Sequence, residues 1–555
     1  MRTRLLLAPA LVFPGLLACS TDHTSDKDLG AYVPDTTDDP GGTTPAPDDT
    51  GDTGDTGAPP DPTLTDTDGD GFYAEENDCD DTDPTVHPGA EDDPWTDRDC
   101  VWGIHRDHLS TTITGGPGSA FLGLHTRALP DLDGDGAAEL FTTHVGTDDV
   151  NTALVFSGRD LVEGAHLTPA NAIGSAALSG WWSRHRVGGD PMGWGGPALM
   201  SAYPSGSTDE NALILADLTS IIEGGTLDLD TLPMVSANTL PPDSNHASNA
   251  LSNIDLDGDG IDDLVISADI YPDAADNWNG RVFVHYGAGL RTSPRREAED
   301  ADAIIEGLTD SAFGRGLAAW NDIDGDGLDD LGVGAPYWEH TEEGGYHAGV
   351  AFVFTGDTLS RGGTFSAADA RTSIQLPDGP AGSSQVGDTL AKWGDITGDG
   401  QAELAVSGTW GGSIGSGIVW LFDPTDLPEG TVSTDDAYHA IDGPGSIYEL
   451  GSWVGGGFDF DEDGLSDGFV SHRSHGGVHH LLSGADLAPG GHTLLGTDPN
   501  LATWSSSTPE AGITHAEGDA ADFDGDSQPE LVLAAGSDAT EAGATGVLYI
   551  VHDRP

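Results

Sequence analysis

The chain has 555 residues, with 95 Asp or Glu against 19 Lys or Arg and a formal net charge of −76. That balance excludes a nucleic-acid binder, which needs a basic footprint. The 80 glycines are about twice the usual share but follow no Gly-X-Y period, and beyond the N-terminus no apolar run nears the ~20 residues of a membrane span, so neither a collagen nor a bundle of spanning helices fits.

Met1 to Arg4 is short and basic, and Leu5 to Ala18 is apolar but too short to span, which is the form of a secretory signal. It ends in Leu16-Leu17-Ala18-Cys19. A small residue before Cys after two leucines resembles the bacterial lipobox, which implies that Cys19 is lipidated and that residues 1–19 are a lipoprotein signal. Ser20 follows, where the inner-membrane retention signal has Asp, so the address expected is the bacterial outer membrane or cell surface. Residues 20–65 are Asp, Thr, Pro and Gly, with 11 Asp against one Lys. Such a segment cannot bury enough surface to offset chain entropy and reads as a disordered, self-repelling tether.

Residues 66–102 form a small acidic module. Asp66, Asp68 and Asp70 alternate with Thr67 and Gly69, the front half of an oxygen-ligand loop, and Asp78-Cys79-Asp80-Asp81 follows. The stretch resembles the Asp-Cys-Asp-Asp metal-binding motif of bacterial surface proteins. The resemblance implies one or two Ca²⁺ ions held by Asp66, Asp68, Asp70 and Asp78, and a Cys79–Cys100 disulfide.

From residue 103 onward one unit recurs. The loop Asp-x-Asp-Gly-Asp-Gly-x-x-Asp/Glu appears at Asp131/Asp133/Asp135/Glu139, Asp255/Asp257/Asp259/Asp263 and Asp322/Asp324/Asp326/Asp330. It returns at Asp395/Thr397/Asp399/Glu403, Asp459/Asp461/Asp463/Asp467 and Asp522/Asp524/Asp526/Glu530. Successive first aspartates lie 124, 67, 73, 64 and 63 residues apart, so a repeat is hidden inside the first interval. Asp190-Pro-Met192-Gly-Trp194-Gly195 keeps its frame and glycines but has lost three carboxylates. A period of this length means an array or a propeller.

An EF-hand needs a bidentate Glu at loop position twelve. Here that position is Thr142, Ile266, Val333, Val406, Val470 or Leu533. Apolar residues at positions ten and twelve have a period of two, the mark of a strand leaving the loop. A second apolar run about 20 residues on, a third before the next loop and the strand entering the loop make four strands per repeat, the content of a propeller blade. The last repeat stops after Val547–Val551, and an orphan strand at Leu109–Gly115 precedes the first loop. That strand is expected to complete the final blade and remove an open edge.

Phe313-Gly314, Asp322 to Asp330 and Gly334-Ala335-Pro336 fall in one repeat. They resemble the FG-GAP repeats of integrin α-subunit propellers and of bacterial surface proteins, over about residues 105–555 and most strongly in the fourth repeat. The resemblance implies an all-β, seven-bladed β-propeller with calcium in hairpin loops on one rim. Loop positions one, three, five and nine and the carbonyl at seven would be the ligands, for about six Ca²⁺. Electrostatics agrees, since two carboxylates ~4 Å apart repel by about 4 kcal/mol at an effective dielectric near 20 and a hard dication relieves this.

The expected function is a calcium-binding surface lipoprotein acting as a binding or adhesion module and not as an enzyme, with an extracellular protein or glycan as partner and the lipid as its membrane contact. The alternative is an extracellular enzyme, of polysaccharide lyase or phospholipase type, on a propeller. Gly411-Gly-Ser413-Ile-Gly415 matches a hydrolase elbow but lies in a hairpin loop rather than between strand and helix. His472, His475, His479 and His480 read as surface or core rather than zinc ligands, and Trp181, Trp182, Trp194 and Trp410 as packing before a sugar-binding face.

Overall fold

The computed structural model describes residues 104–552 apart from several loop segments, the longest being 204–211, 223–231, 506–517 and 536–545, together with Thr67, Pro84, Thr85 and His87. The signal, the tether, Cys19, Cys79, Cys100, Asp66, Asp68, Asp70 and Asp78 lie outside the described residues, as do Trp181, Trp182, His475 and Ser413.

The described strands form seven sheets arranged as a seven-bladed β-propeller. In the third blade, His246–Leu251 enters the acidic loop, Leu264–Ala268 leaves it, and Arg281–His285 and Ala303–Glu306 follow, each antiparallel to its neighbour. Strands entering the loops touch one another around the ring and are therefore innermost. The alternation read after each loop is explained by burial on both faces: Leu264 and Ile266 pack toward the second blade, and Val265 toward the fourth.

The expected four strands per blade are an undercount. Six sheets carry a fifth, short strand, and in each it runs parallel to the outermost strand. Gly363–Ser366, from the fourth repeat, pairs with Ala303–Glu306 of the third blade, and Gly430–Ser433 pairs in the same way with Thr372–Gln375 of the fourth. Most repeats thus reach back to stitch the preceding blade; the first blade has four strands among the described residues.

Ring closure is as expected, with one addition. Thr111–Thr114 is the fourth strand of the seventh blade, antiparallel to Val547–Val551. Ile104–His105 also supplies the stitch of the sixth blade, parallel to Thr503–Ser505. The segment before the first loop therefore closes two blades. Ile113, fully buried, sits in one cluster with Leu122, Leu140, Phe156, Phe523, Leu548 and Ile550, so the first and seventh blades share a core.

Glycines allow the blades to approach. Gly280 bridges Phe313 of the next blade, and a Cβ there would lie 2.2 Å from the Phe313 carbonyl oxygen. Gly546 meets Leu122 in the equivalent way, across the closure. At Gly334, of the Gly-Ala-Pro motif, a Cβ would lie 1.9 Å from the Gly387 carbonyl oxygen, which belongs to backbone and cannot rotate away. Gly334→Ala is expected to cost about 3 kcal/mol through overpacking, read as a lower urea midpoint. An unchanged midpoint would show that the fourth and fifth blades can separate freely.

Candidate cation loops of the rim

Every acidic loop is a hairpin turn organised by its first aspartate. In the fourth loop Asp322 Oδ1 accepts from the Gly325 and Asp326 amides at 2.6 and 2.9 Å, and Oδ2 accepts from Gly327 at 2.8 Å. Asp324 accepts from the Asp326 amide and Asp326 from the Leu328 amide. Gly325 and Gly327 have φ of +80° and +91°, which an L side chain rarely adopts. This is why glycine alternates with aspartate in the motif.

The ninth residue begins the outgoing strand, or in Asp263 directly precedes it, and turns inward under the loop. Asp330 Oδ2 accepts from the Ile323 amide at 2.8 Å and Oδ1 from Gly356 at 2.9 Å. Asp263 and Asp467 make the same two kinds of bond. Glu139, Glu403 and Glu530 keep the bond to position two, at 2.6, 2.7 and 2.6 Å, but their Oε1 atoms are buried with no hydrogen-bond partner. All six residues are at most 1% exposed. Burial lifts Glu139, Asp263, Asp330 and Glu403 to about 7, Asp467 to about 6 and Glu530 to about 8, opposed by the amide bonds and reinforced in most by neighbouring aspartates. A buried carboxylate oxygen without a donor costs free energy unless a proton or a cation satisfies it. The residues present therefore fit a hard divalent cation.

Ligand-capable oxygens of Asp131, Asp133, Asp135 and Glu139 lie within 4.8 Å of one another. So do those of Asp255, Asp257 and Asp259, of Asp322, Asp324 and Asp330, and of Asp459, Asp461 and Asp467. Asp263, Asp326 and Asp463 lie in the same loops. In the fifth loop the Thr397 hydroxyl is 3.4 Å from Asp395 Oδ1, and Asp399 accepts from the Gln401 amide. In the seventh, Asp522 accepts from the Gly525 and Ser527 amides and Asp526 from Gln528.

The second loop shows how the fold manages without its carboxylates. Asp190 still accepts from the Trp194 and Gly195 amides, at 2.8 and 2.7 Å, so the hidden repeat is in the expected frame. The Arg291 guanidinium, from the short helix Gly287–Thr292 of the third repeat, donates to the Asp190 and Pro191 carbonyls at 3.1 and 3.3 Å. A fixed cation of the chain itself thus sits over the degenerate loop.

Sequence reading missed one contributor. The residue at the end of the third strand, or just after it, faces the loop: Ser157 reaches Asp135 Oδ2 at 3.4 Å, Asp423 adds charge beside Glu403, and His552 groups with Asp524 and Glu530. The signal available was that these residues hold one register ahead of Gly158, Pro424 and their equivalents.

Neighbouring loops are linked around the rim. The Asp190 amide donates to Asp262 at 2.6 Å, the Asp255 amide to Asp329 at 2.9 Å, and the Ala138 amide to the Asp522 carbonyl at 2.9 Å across the closure.

Of the other candidate groups, His479, His480 and Trp194 resolve as packing. His479 and His480 are buried, and His479 Nδ1 is 2.7 Å from Ser471 Oγ. Trp194 is half-buried against the core of the second and third blades, while Trp410 is 52% exposed. Gly411 lies between two strands and not at a strand-to-helix turn.

Residues 247–285 match the FG-GAP repeat family. The match falls on the third repeat, next to the fourth, where the Phe-Gly and Gly-Ala-Pro marks are written out. The chain is similar to integrin alpha-PS2 of Drosophila melanogaster, 27% identical over 266 residues, covering 47% of this chain and 17% of that one. Integrin alpha-5 of Xenopus laevis is 31% identical over 167 residues, covering 28% and 14%. Phosphatidylinositol-glycan-specific phospholipase D of Rattus norvegicus is 29% identical over 218 residues, covering 37% and 23%. The matches thus span less than a quarter of these relatives.

Proposed function

Because the chain carries an FG-GAP-type, integrin α-like seven-bladed β-propeller, we propose that it is a calcium-dependent binding or adhesion module displayed outside the cell. The observation that supports this best is the row of rim loops that gather carboxylates around a buried ninth one, which in Glu139, Glu403 and Glu530 keeps an oxygen without a hydrogen-bond donor. Calcium suits the loops whose donors are all oxygen, because it accepts six to eight such ligands in irregular geometry. The signal segment and Cys19 would place the propeller on a lipid anchor at the bacterial outer membrane. No helix among the described residues is long and apolar enough to cross a membrane.

The partner in this reading is an extracellular protein or glycan. Trp278 and Trp410, each 52% exposed, are aromatic surface of the kind such partners engage. An enzyme would need acid–base groups poised where the inner strands converge. Three charged groups there are held by neighbours: Arg127 stacks on Trp453 at 4.3 Å, Arg315 pairs with Asp388 at 2.7 Å, and Asp519 accepts from the Ala128 amide at 2.9 Å. This favours binding over the lyase or phospholipase alternative.

Probing glycan and protein arrays with the full chain, with and without EDTA, tests the reading. Binding that disappears on chelation and returns with calcium is expected, and chelator-indifferent binding would overturn the calcium dependence. A calcium-soaked crystal should leave the second loop empty, where Arg291 already supplies the charge.

A further inference from the structure

We propose that the seventh rim loop is a mixed nitrogen–oxygen site, built from Asp524, Glu530 and His552, that takes a divalent transition ion of the zinc or cobalt class in preference to calcium. This deepens the reading of the rim loops as cation sites and rests on it. One ligand atom from each of the three residues lies within 4.8 Å of the others. Glu530 is fully buried, and its Oε1 has no hydrogen-bond partner although Oε2 accepts from the Phe523 amide at 2.6 Å. That oxygen is desolvated and without a donor, which calls for a ligand there.

His552 distinguishes this loop from the others. It follows Val547–Val551, in the register that places oxygen from Ser157 and Asp423 at the first and fifth loops. Its tautomer follows from a proton count. Thr111 Oγ1 donates its single proton to the Val162 carbonyl at 3.0 Å and accepts from the Gly164 amide at 3.0 Å. The 3.0 Å contact between His552 Nε2 and Thr111 Oγ1 must then be Nε2–H donating. In the neutral ring, the form that binds a metal, this puts the lone pair on Nδ1, as in metal sites where the second ring nitrogen is tied to an oxygen behind it. Calcium takes oxygen ligands, whereas an imidazole with two carboxylates is a donor set for zinc, cobalt and their neighbours. Since Thr111 lies in the strand that closes the ring, the loading of this loop is joined by one hydrogen bond to the closure.

The test uses the full chain, stripped with chelator, reloaded in millimolar calcium and titrated with Co²⁺, which reports nitrogen ligation in its visible spectrum. One Co²⁺ per chain should bind in excess calcium. His552→Ala should weaken that equivalent by about a hundredfold while leaving calcium uptake by the other loops unchanged. Thr111→Val, which removes the oxygen behind the ring, should weaken it about tenfold. Absence of the cobalt equivalent in the unmodified chain, or its persistence in His552→Ala, would overturn the proposal, and full affinity in Thr111→Val would overturn the tautomer assignment. If the other loops take up no calcium, the reading of the previous subsection fails while the cobalt equivalent can still be counted.

Discussion

Removing residues 104–114 is expected to abolish cooperative unfolding of the ring. The deletion takes away the outer strand of the seventh blade, Thr111–Thr114, and the stitch of the sixth, Ile104–His105. Val547–Val551 would be left as an unpaired edge of five buried apolar residues, a template for pairing with another chain. A milder variant separates closure from chain length. Ile113 is fully buried against Leu548 and Ile550, so Ile113→Ala should cost about 2–5 kcal/mol and Ile113→Asp more, because it buries a charge without a partner. Urea unfolding followed by tryptophan fluorescence gives the first number, and light scattering at the midpoint gives the tendency of the open edge to associate. A truncated chain that unfolds with the midpoint and slope of the full one would mean that the ring is closed by something else.

The second large effect is chelation, and its size should depend on pH. In the cation-free chain, burial raises the six ninth-position carboxylates to about 6 to 8. Their unfolded values lie near 4. A folded pKa above the unfolded one means that the protonated group favours the fold, so this contribution is complete below about pH 4 and lost as pH rises through about 7. Cation binding takes the deprotonated form and grows over the same interval. The fall in Tm on adding EDTA should therefore be small at pH 5 and large at pH 8. Each loop saturated at a hundred times its Kd contributes about 2.7 kcal/mol when the ion binds the folded chain alone. Equal falls at both pH values would remove the buried carboxylates from the explanation. An unchanged Tm after verified metal removal would end the structural role proposed for the cations.

Much of this was legible in the residues because it is local. Asp-Gly alternation encodes the turn, as Asp322 shows by accepting from the three amides that follow it within five residues. The period of two after position nine encodes a strand, and even the second repeat, reduced to Asp190 and its glycines, kept enough turn chemistry to be found in frame. The fifth strands were not legible. Gly363–Ser366 is short, polar and half-exposed, with no alternation to mark it, and it is a strand only because Ala303–Glu306 lies beside it.

The amino-acid order by itself determined the seven units, the turn in each, the strand that leaves each turn and the spare strand that shuts the ring, because each depends on contacts within a few residues or on counting. Tertiary structure alone decided what lies over and behind each loop: Arg291 reaching Asp190 across 101 residues, His552 meeting Thr111 across 441, and the burial that lifts Glu530. Charge, proton position and desolvation are set by whatever the ring brings alongside, and nothing in a segment's own composition specifies its neighbours.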